Sequence, residues 1–267
     1  MATPPFPGRI VHTRCDGEQE LQVVETASSR SLHFGTLSRQ SSMWLHAPTR
    51  LQLPYTRAMM SFLLFCEQPR AVLLIGLGGG SQAKFLLENF PGCRIDAVEP
   101  SSAVVEVARE FFELPHSERL RIHNMHGEAF VAQRPTRRYD AVLLDAFDAD
   151  GAAPCMQQRS FLSACANRLR APGGVLAANL WRGRNTGYGA SLEAMRQVYG
   201  RLPLRLPVGG RGNLIAVAPM DEYQRRDFLD LRSRADQLQR QLGLDFPAYL
   251  QTLGDSARLW QRLLARI

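Results

Sequence analysis

Apolar positions fall into three textures along the chain. Over residues 9–55 they alternate with polar ones in short runs, notably 20–26 (Glu-Leu-Gln-Val-Val-Glu-Thr) and 31–35 (Ser-Leu-His-Phe-Gly). The small polar stretch 27–30 between them predicts a β-hairpin within a small antiparallel sheet. From residue 71 the apolar runs become continuous, at 71–76, 94–99, 139–145 and 174–180, with helix-like stretches at 81–90, 102–112 and 158–169. Such alternation predicts a parallel sheet covered on both faces. Segments 204–207 and 213–218 are expected to form an antiparallel pair at its edge. Beyond Asp221 the chain reads as helical, with Tyr223, Phe228, Leu231, Leu238 and Leu242 as an apolar stripe. Phe246, Tyr249, Leu250, Leu253, Leu259, Trp260 and Leu263 predict a second and a third short helix. The expected architecture is α/β: an N-terminal β-hairpin domain (1–57), a Rossmann-like nucleoside-binding domain (58–219) and a helical C-terminal tail (220–267).

Composition narrows the class without naming a function. A chain of 267 residues, 45% hydrophobic and 21% charged, is globular and long enough for one large domain with an appendage. No apolar run approaches the ~18 residues of a membrane span, and the first residues lack the basic and apolar pattern of a signal peptide. No membrane association is expected. Five scattered cysteines without CxxC spacing argue against a zinc site or disulfide framework, and a cytoplasmic location is expected. The net charge is +7, and Lys84 is the only lysine beside 31 arginines. These arginines are dispersed rather than blocked, so a nucleic-acid partner is not expected. Lys84 itself reads as a solvated helix residue.

The chemistry concentrates at three turns. Gly76-Leu77-Gly78-Gly79-Gly80-Ser81 follows one predicted strand and opens a helix, where glycines permit a tight bend close to a ligand. Gly76, Gly78 and Gly80 form a GxGxG turn of the kind found in S-adenosylmethionine (SAM) folds, whereas a dinucleotide fingerprint would want Gly or Ala at Ser81. Glu99 ends the next strand, where a carboxylate can accept both ribose hydroxyls. Glu128, in Gly127-Glu128-Ala129, reads on its own equally as a surface acid, and in a SAM-type site its position presents a side chain to the adenine amino group. Asp145, Asp148 and Asp150 follow a buried strand at its carboxyl end, where open α/β sheets bind ligands. Carboxylates this close repel one another, so a cation between them is favoured, and an amine is a natural occupant. A divalent metal has no evident ligand set here.

Together these motifs, in order and at suitable spacing over about residues 21–218, resemble the spermidine synthase (polyamine aminopropyltransferase) family, whose sheet is of the SAM-methyltransferase type. Residues 32–40 and Leu53-Pro54-Tyr55 resemble its N-terminal domain and linker, residues 75–80 its glycine loop, and residues 139–151 its aspartate signature. The resemblance implies transfer of an aminopropyl group from decarboxylated SAM to a diamine. Under it, Asp145 is the base, Asp148 positions the cation, Gln40 and Glu128 contact the nucleoside, Glu99 binds ribose and Tyr55 lines the diamine channel. It also implies a homodimer, a small cationic acceptor and no metal.

Several positions depart from the family pattern. Ser81 stands where an aspartate usually binds the donor's amine and repels the carboxylate of ordinary SAM. Thr56 and Arg57 follow Tyr55 in place of His or Gln and Glu, and Ala149 replaces a proline. Two further readings therefore stay open: a SAM-dependent methyltransferase on the same scaffold, and a non-catalytic nucleoside-binding or interaction protein.

Overall fold

The structure, a computed structural model, describes residues 6–17, 19–146, 153–183, 186–210, 212–221 and 225–264. Five strands open the chain: β1 (Arg9–Asp16), β2 (Gln19–Glu25), β3 (Ser29–Phe34), β4 (Arg39–Trp44) and β5 (Ala47–Leu51). They pair in sequence order as an antiparallel meander. The expected hairpin is β2–β3. Its turn closes because the Thr26 Oγ1 accepts the backbone N–H groups of Ser28 (3.3 Å) and Ser29 (3.0 Å), as short polar side chains do in turns.

Leu53-Pro54 then starts a short helix, α1 (Pro54–Met59), extended by a 3₁₀ turn at Met60–Leu64. Proline at the first helical position has its φ preset and no N–H to leave unpaired. Alternation follows: β6 (Ala71–Ile75), α2 (Ser81–Asn89), β7 (Arg94–Val98), α3 (Ser102–Phe111), β8 (Leu120–His123), α4 (Gly127–Ala132), β9 (Ala141–Leu144), α5 (Arg159–Ala166), β10 (Val175–Trp181) and α6 (Tyr188–Tyr199). The edge pair β11 (Leu204–Pro207) and β12 (Asn213–Pro219) completes a seven-stranded sheet of order β11-β12-β10-β9-β6-β7-β8. Strands β10, β9, β6, β7 and β8 run parallel, and β12 is antiparallel to both neighbours. The chain leaves β6 toward β7 and returns to β9 on the other side of β6. That reversal puts a crevice at the carboxyl ends of β6 and β9.

Strand β9 is shorter than its apolar run. The Asp140 carboxylate accepts the backbone N–H groups of Arg70 (2.7 Å) and Ala71 (2.8 Å), and Tyr139 forms an isolated bridge with Leu169. That bridge also ends α5 earlier than expected. The C-terminal region holds two long helices, α7 (Arg225–Leu242) and α8 (Phe246–Leu264), where a second and a third short one were expected after the first. Gly254 lies inside α8 without interrupting it.

Period-2 alternation sorts the sheet's faces. Ala141 and Leu143, Val175 and Ala177, and Ile215 and Val217 face α1, α2, α7 and α8; Val142 and Leu144, with Leu176 and Ala178, face α5 and α6. The N-terminal sheet docks through Leu21, Val23, Leu32 and Met43 onto Ala103, Val104 and Val107 of α3 and onto Phe112. No helix among the described residues is long and apolar enough to cross a membrane.

Candidate active site at the switch point

The glycine turn departs from β6 because Gly76 and Gly80 adopt φ of +98° and +70°, a region that side chains disfavour. The Gly76 N–H bonds the Val98 carbonyl at 2.9 Å, and the Asp145 N–H bonds the Ile75 carbonyl at 2.8 Å. The ends of β6, β7 and β9 are thereby locked together. A Cβ added at Gly76 would lie 2.2 Å from the Asp145 carbonyl oxygen, so the turn and the aspartate are in direct contact. Gly80 caps α2, whose first residue is Ser81.

Glu99 is buried at the end of β7. Its Oε2 accepts the Leu77 N–H at 3.1 Å and its Oε1 the Ser101 N–H at 3.2 Å. Burial pushes its carboxyl above the ordinary range, opposed by the backbone N–H groups of Leu77, Ser101 and Gly78. Gln40 sits at the start of β4, its carbonyl 3.9 Å from where a Gly78 Cβ would be. Glu128 is exposed in the first turn of α4, directly after Gly127, which lies against Ile75. It therefore stands at the rim of the crevice rather than inside it.

Asp145 faces α1 and α2, continuing the Ala141–Leu143 face. Its Oδ1 accepts an N–H of Asn179 at 2.9 Å, and its Oδ2 accepts one of Gln82 at 2.8 Å. The Tyr55 hydroxyl lies between the Gln40 carbonyl, at 3.3 Å, and the Asp145 carboxylate. Burial raises the Asp145 pKa to about 6, offset by the hydrogen bonds from Asn179, Tyr55 and Gln82. Tyr55 is driven well above its usual value by burial and by the neighbouring carboxylate, so it remains a protonated donor. Asn179 is itself held, its Oδ1 accepting an N–H of Asn213 at 3.0 Å.

The turn thus brings together Gln40, Tyr55, Gly76, Gly78, Gly80, Ser81, Glu99 and Asp145, while Asp148 lies outside the described residues. Ser81 donates to the Ser42 carbonyl and meets the Ser41 hydroxyl, each at 3.3 Å. Thr56 is buried, its hydroxyl donating to the Leu53 carbonyl at 2.8 Å to close the first turn of α1. Burial raises the pKa of Tyr249 on α8, and the nearby Arg57 partly opposes that shift. Trp181 is 39% exposed at the end of β10, on the same face as Asn179 and opposite Asn213.

Sequence reasoning missed Gln82, Asn179 and Asn213. Only the buried placement of two asparagines in apolar strands could have flagged them. Lys84 is a correction. It is buried, not solvated, because α2 packs under β4: its ammonium donates to the Phe112 carbonyl and to the Met43 sulfur at 3.0 Å. Burial lowers its pKa to about 8.

Comparisons with known proteins relate nearly the whole chain to one family. The family profile described as Spermine/spermidine synthase domain matches residues 52–180. A polyamine aminopropyltransferase of Chromobacterium violaceum is 34% identical over 246 residues, covering 92% of this chain and 93% of its own. Among solved structures, a probable spermidine synthase from Corynebacterium glutamicum superposes with a TM-score of 0.70 at 18% identity, over 85% of this chain and 87% of that one. Human Methyltransferase-like protein 13, in complex with SAH, gives a TM-score of 0.63 at 27% identity, over 72% of this chain and 93% of that one. Fold and kin together define a transferase built on the SAM-methyltransferase sheet. More narrowly, the chain belongs to the spermine/spermidine synthase family.

Proposed function

We propose that this protein transfers an aminopropyl group from decarboxylated SAM to a small aliphatic amine, with Asp145 as the base. The observation that carries the reading is the Asp145 carboxylate at the switch point, touching the glycine turn and poised by burial at a pKa of about 6. It is ionised at neutral pH yet basic enough to take a proton. The acceptor enters as an ammonium with a pKa of about 10. Asp145 removes its proton, and the freed nitrogen lone pair attacks the propyl carbon beside the sulfonium. The carbon–sulfur bond breaks, its electron pair returns to sulfur, and methylthioadenosine leaves as a neutral thioether. Gly76, Gly78 and Gly80 admit the nucleoside closely, Glu99 takes the ribose hydroxyls, Gln40 and Glu128 flank the nucleoside, and Tyr55 borders the amine's path. Asp148 serves as a second cation contact in this scheme.

Calorimetry with decarboxylated SAM, SAM and methylthioadenosine tests the donor. Tighter binding of the decarboxylated donor than of SAM is expected; a clear preference for SAM would overturn aminopropyl transfer.

Methyl transfer from SAM is the second reading, and Ser81 favours it. Its hydroxyl is occupied by β4, and the positive end of α2 suits a carboxylate better than an ammonium. Ser81→Asp is expected to shift the binding ratio toward decarboxylated SAM by roughly ten- to hundredfold, since a hydrogen bond to a charged group contributes about 1.5–3 kcal/mol. The same calorimetry reads it. An unchanged ratio would mean that the donor's tail does not lie at α2.

A further inference from the structure

Two side-chain amides hold Asp145, and they differ in one respect. Asn179 is satisfied at both ends, donating to Asp145 and accepting from Asn213. Gln82 is 7% exposed and donates to Asp145 Oδ2 at 2.8 Å, but its Oε1 is buried and meets no donor among the described residues. The orientation of this amide is fixed chemically, because an ionised carboxylate only accepts and the nitrogen must face it. The orphan oxygen shares a carbon with that nitrogen and so lies beside the base. An ionised carboxylate offers about four acceptor positions. Asn179, Gln82 and Tyr55 draw on three of them, leaving one for an incoming N–H. An aliphatic ammonium carries several N–H groups, so once one is given to Asp145 a second needs an acceptor close by.

We propose that Gln82 reads the reacting amine: its N–H holds the Asp145 carboxylate, and its Oε1 accepts a second N–H of the amine that Asp145 deprotonates. This rests on the reading of Asp145 as base toward an aliphatic amine. A neutral amide suits the task, because it binds the ammonium and then the free amine alike. Unlike a second carboxylate, it neither competes for the proton nor opposes ionisation of the base. Asn179, by contrast, is a positioning residue with no spare acceptor atom facing the amine.

The test uses the full chain saturated with methylthioadenosine, titrated calorimetrically with 1,4-diaminobutane, together with kcat, KM and their pH profiles. Gln82→Met keeps the length and removes both hydrogen-bonding groups. It is expected to weaken diamine binding at least tenfold, leave methylthioadenosine affinity within twofold, and move the acid limb of kcat upward. Gln82→Glu restores an acceptor but adds a charge, so diamine binding is expected within threefold of wild type or tighter, with the acid limb again moved upward. Diamine affinity within twofold of wild type in Gln82→Met, or parallel loss of nucleoside binding, overturns the assignment. If Gln82→Met does not fold, weakened diamine binding in Gln82→Glu does so. A wild-type protein that transfers aminopropyl while Gln82→Met retains diamine affinity refutes the role of Gln82 alone. A wild-type protein that binds no diamine removes the reading of Asp145 beneath it as well.

Discussion

Asp145→Asn is expected to lower kcat for aminopropyl transfer by about 10²–10⁴-fold, the range over which a positioned base contributes, while methylthioadenosine affinity stays within several-fold. The amide keeps the shape of the carboxylate but has no basic lone pair for the ammonium proton. The nucleoside contacts proposed above, Gln40, the glycine turn, Glu99 and Glu128, are unchanged by it. The wild-type pH profile carries the same argument. Asp145 must be ionised to act, so kcat/KM is expected to rise through an acid limb near pH 6, the value to which burial raises it. The mutant should also be more stable at neutral pH. A carboxyl whose folded pKa exceeds its unfolded value near 4 binds protons more readily when folded, so its contribution to stability falls as pH rises from about 4 to 6 and stays low above that. A two-unit shift corresponds to about 3 kcal/mol, of which about 1–2 kcal/mol should be recovered once the amide's poorer match to its donors is counted. Denaturant midpoints at pH 7 and pH 4 read this directly, with the gain expected at pH 7 and nearly absent at pH 4. Wild-type turnover in the mutant would remove Asp145 from the mechanism.

That Asp145 could be picked out from the sequence, and the amides that hold it could not, has a physical basis. Continuous apolar runs ended by glycine or an acid mark the carboxyl ends of buried parallel strands, and both Gly76–Gly80 and Asp145 sit at such ends. Glu99 was legible for the same reason. Gln82 and Asn179 reach Asp145 from positions 63 and 34 residues away, and Asn213 reaches Asn179 from another 34, across strands whose order no local pattern encodes. Each is of a residue type common on surfaces, and only the β9–β10–β12 register turns two of them inward. Lys84 misled for a related reason. Three residues past the helix start it looks solvated, until β4 is laid over α2 and its ammonium is directed at the Phe112 carbonyl. The C-terminal helices were legible by period, but their number was not, because one glycine at position 254 does not outweigh eighteen helical neighbours. Asp148 shares a motif with Asp145 but lies outside the described residues, so the motif alone speaks for it.

Gly76→Ala should be the most damaging single-methyl change in the protein. Two separate costs meet there. The φ of +98° is one that a side chain disfavours, at about 1–2 kcal/mol. The new Cβ would also stand 2.2 Å from the Asp145 carbonyl oxygen and 2.7 Å from its carbon. Both atoms are backbone, held by the 2.8 Å bond from the Asp145 N–H to Ile75, so no side chain can swing aside. Relief requires parting the ends of β6 and β9, an overpacking that adds about 1–3 kcal/mol. The expected loss is therefore about 2–5 kcal/mol of stability, with methylthioadenosine affinity falling at least tenfold as the turn and Asp145 move apart. Two other glycines separate the causes. Gly173 has φ +91° with open space around its missing Cβ, so Gly173→Ala should cost only the backbone share. Gly92 has neither a positive φ nor a neighbour within 4 Å, so Gly92→Ala should change stability by a few tenths of a kcal/mol at most. If Gly76→Ala proves no worse than Gly173→Ala in urea denaturation, the turn does not abut Asp145 and the site loses its shared wall. If it is far worse and nucleoside binding collapses with it, the contact between glycine turn and base holds the reacting centre in place.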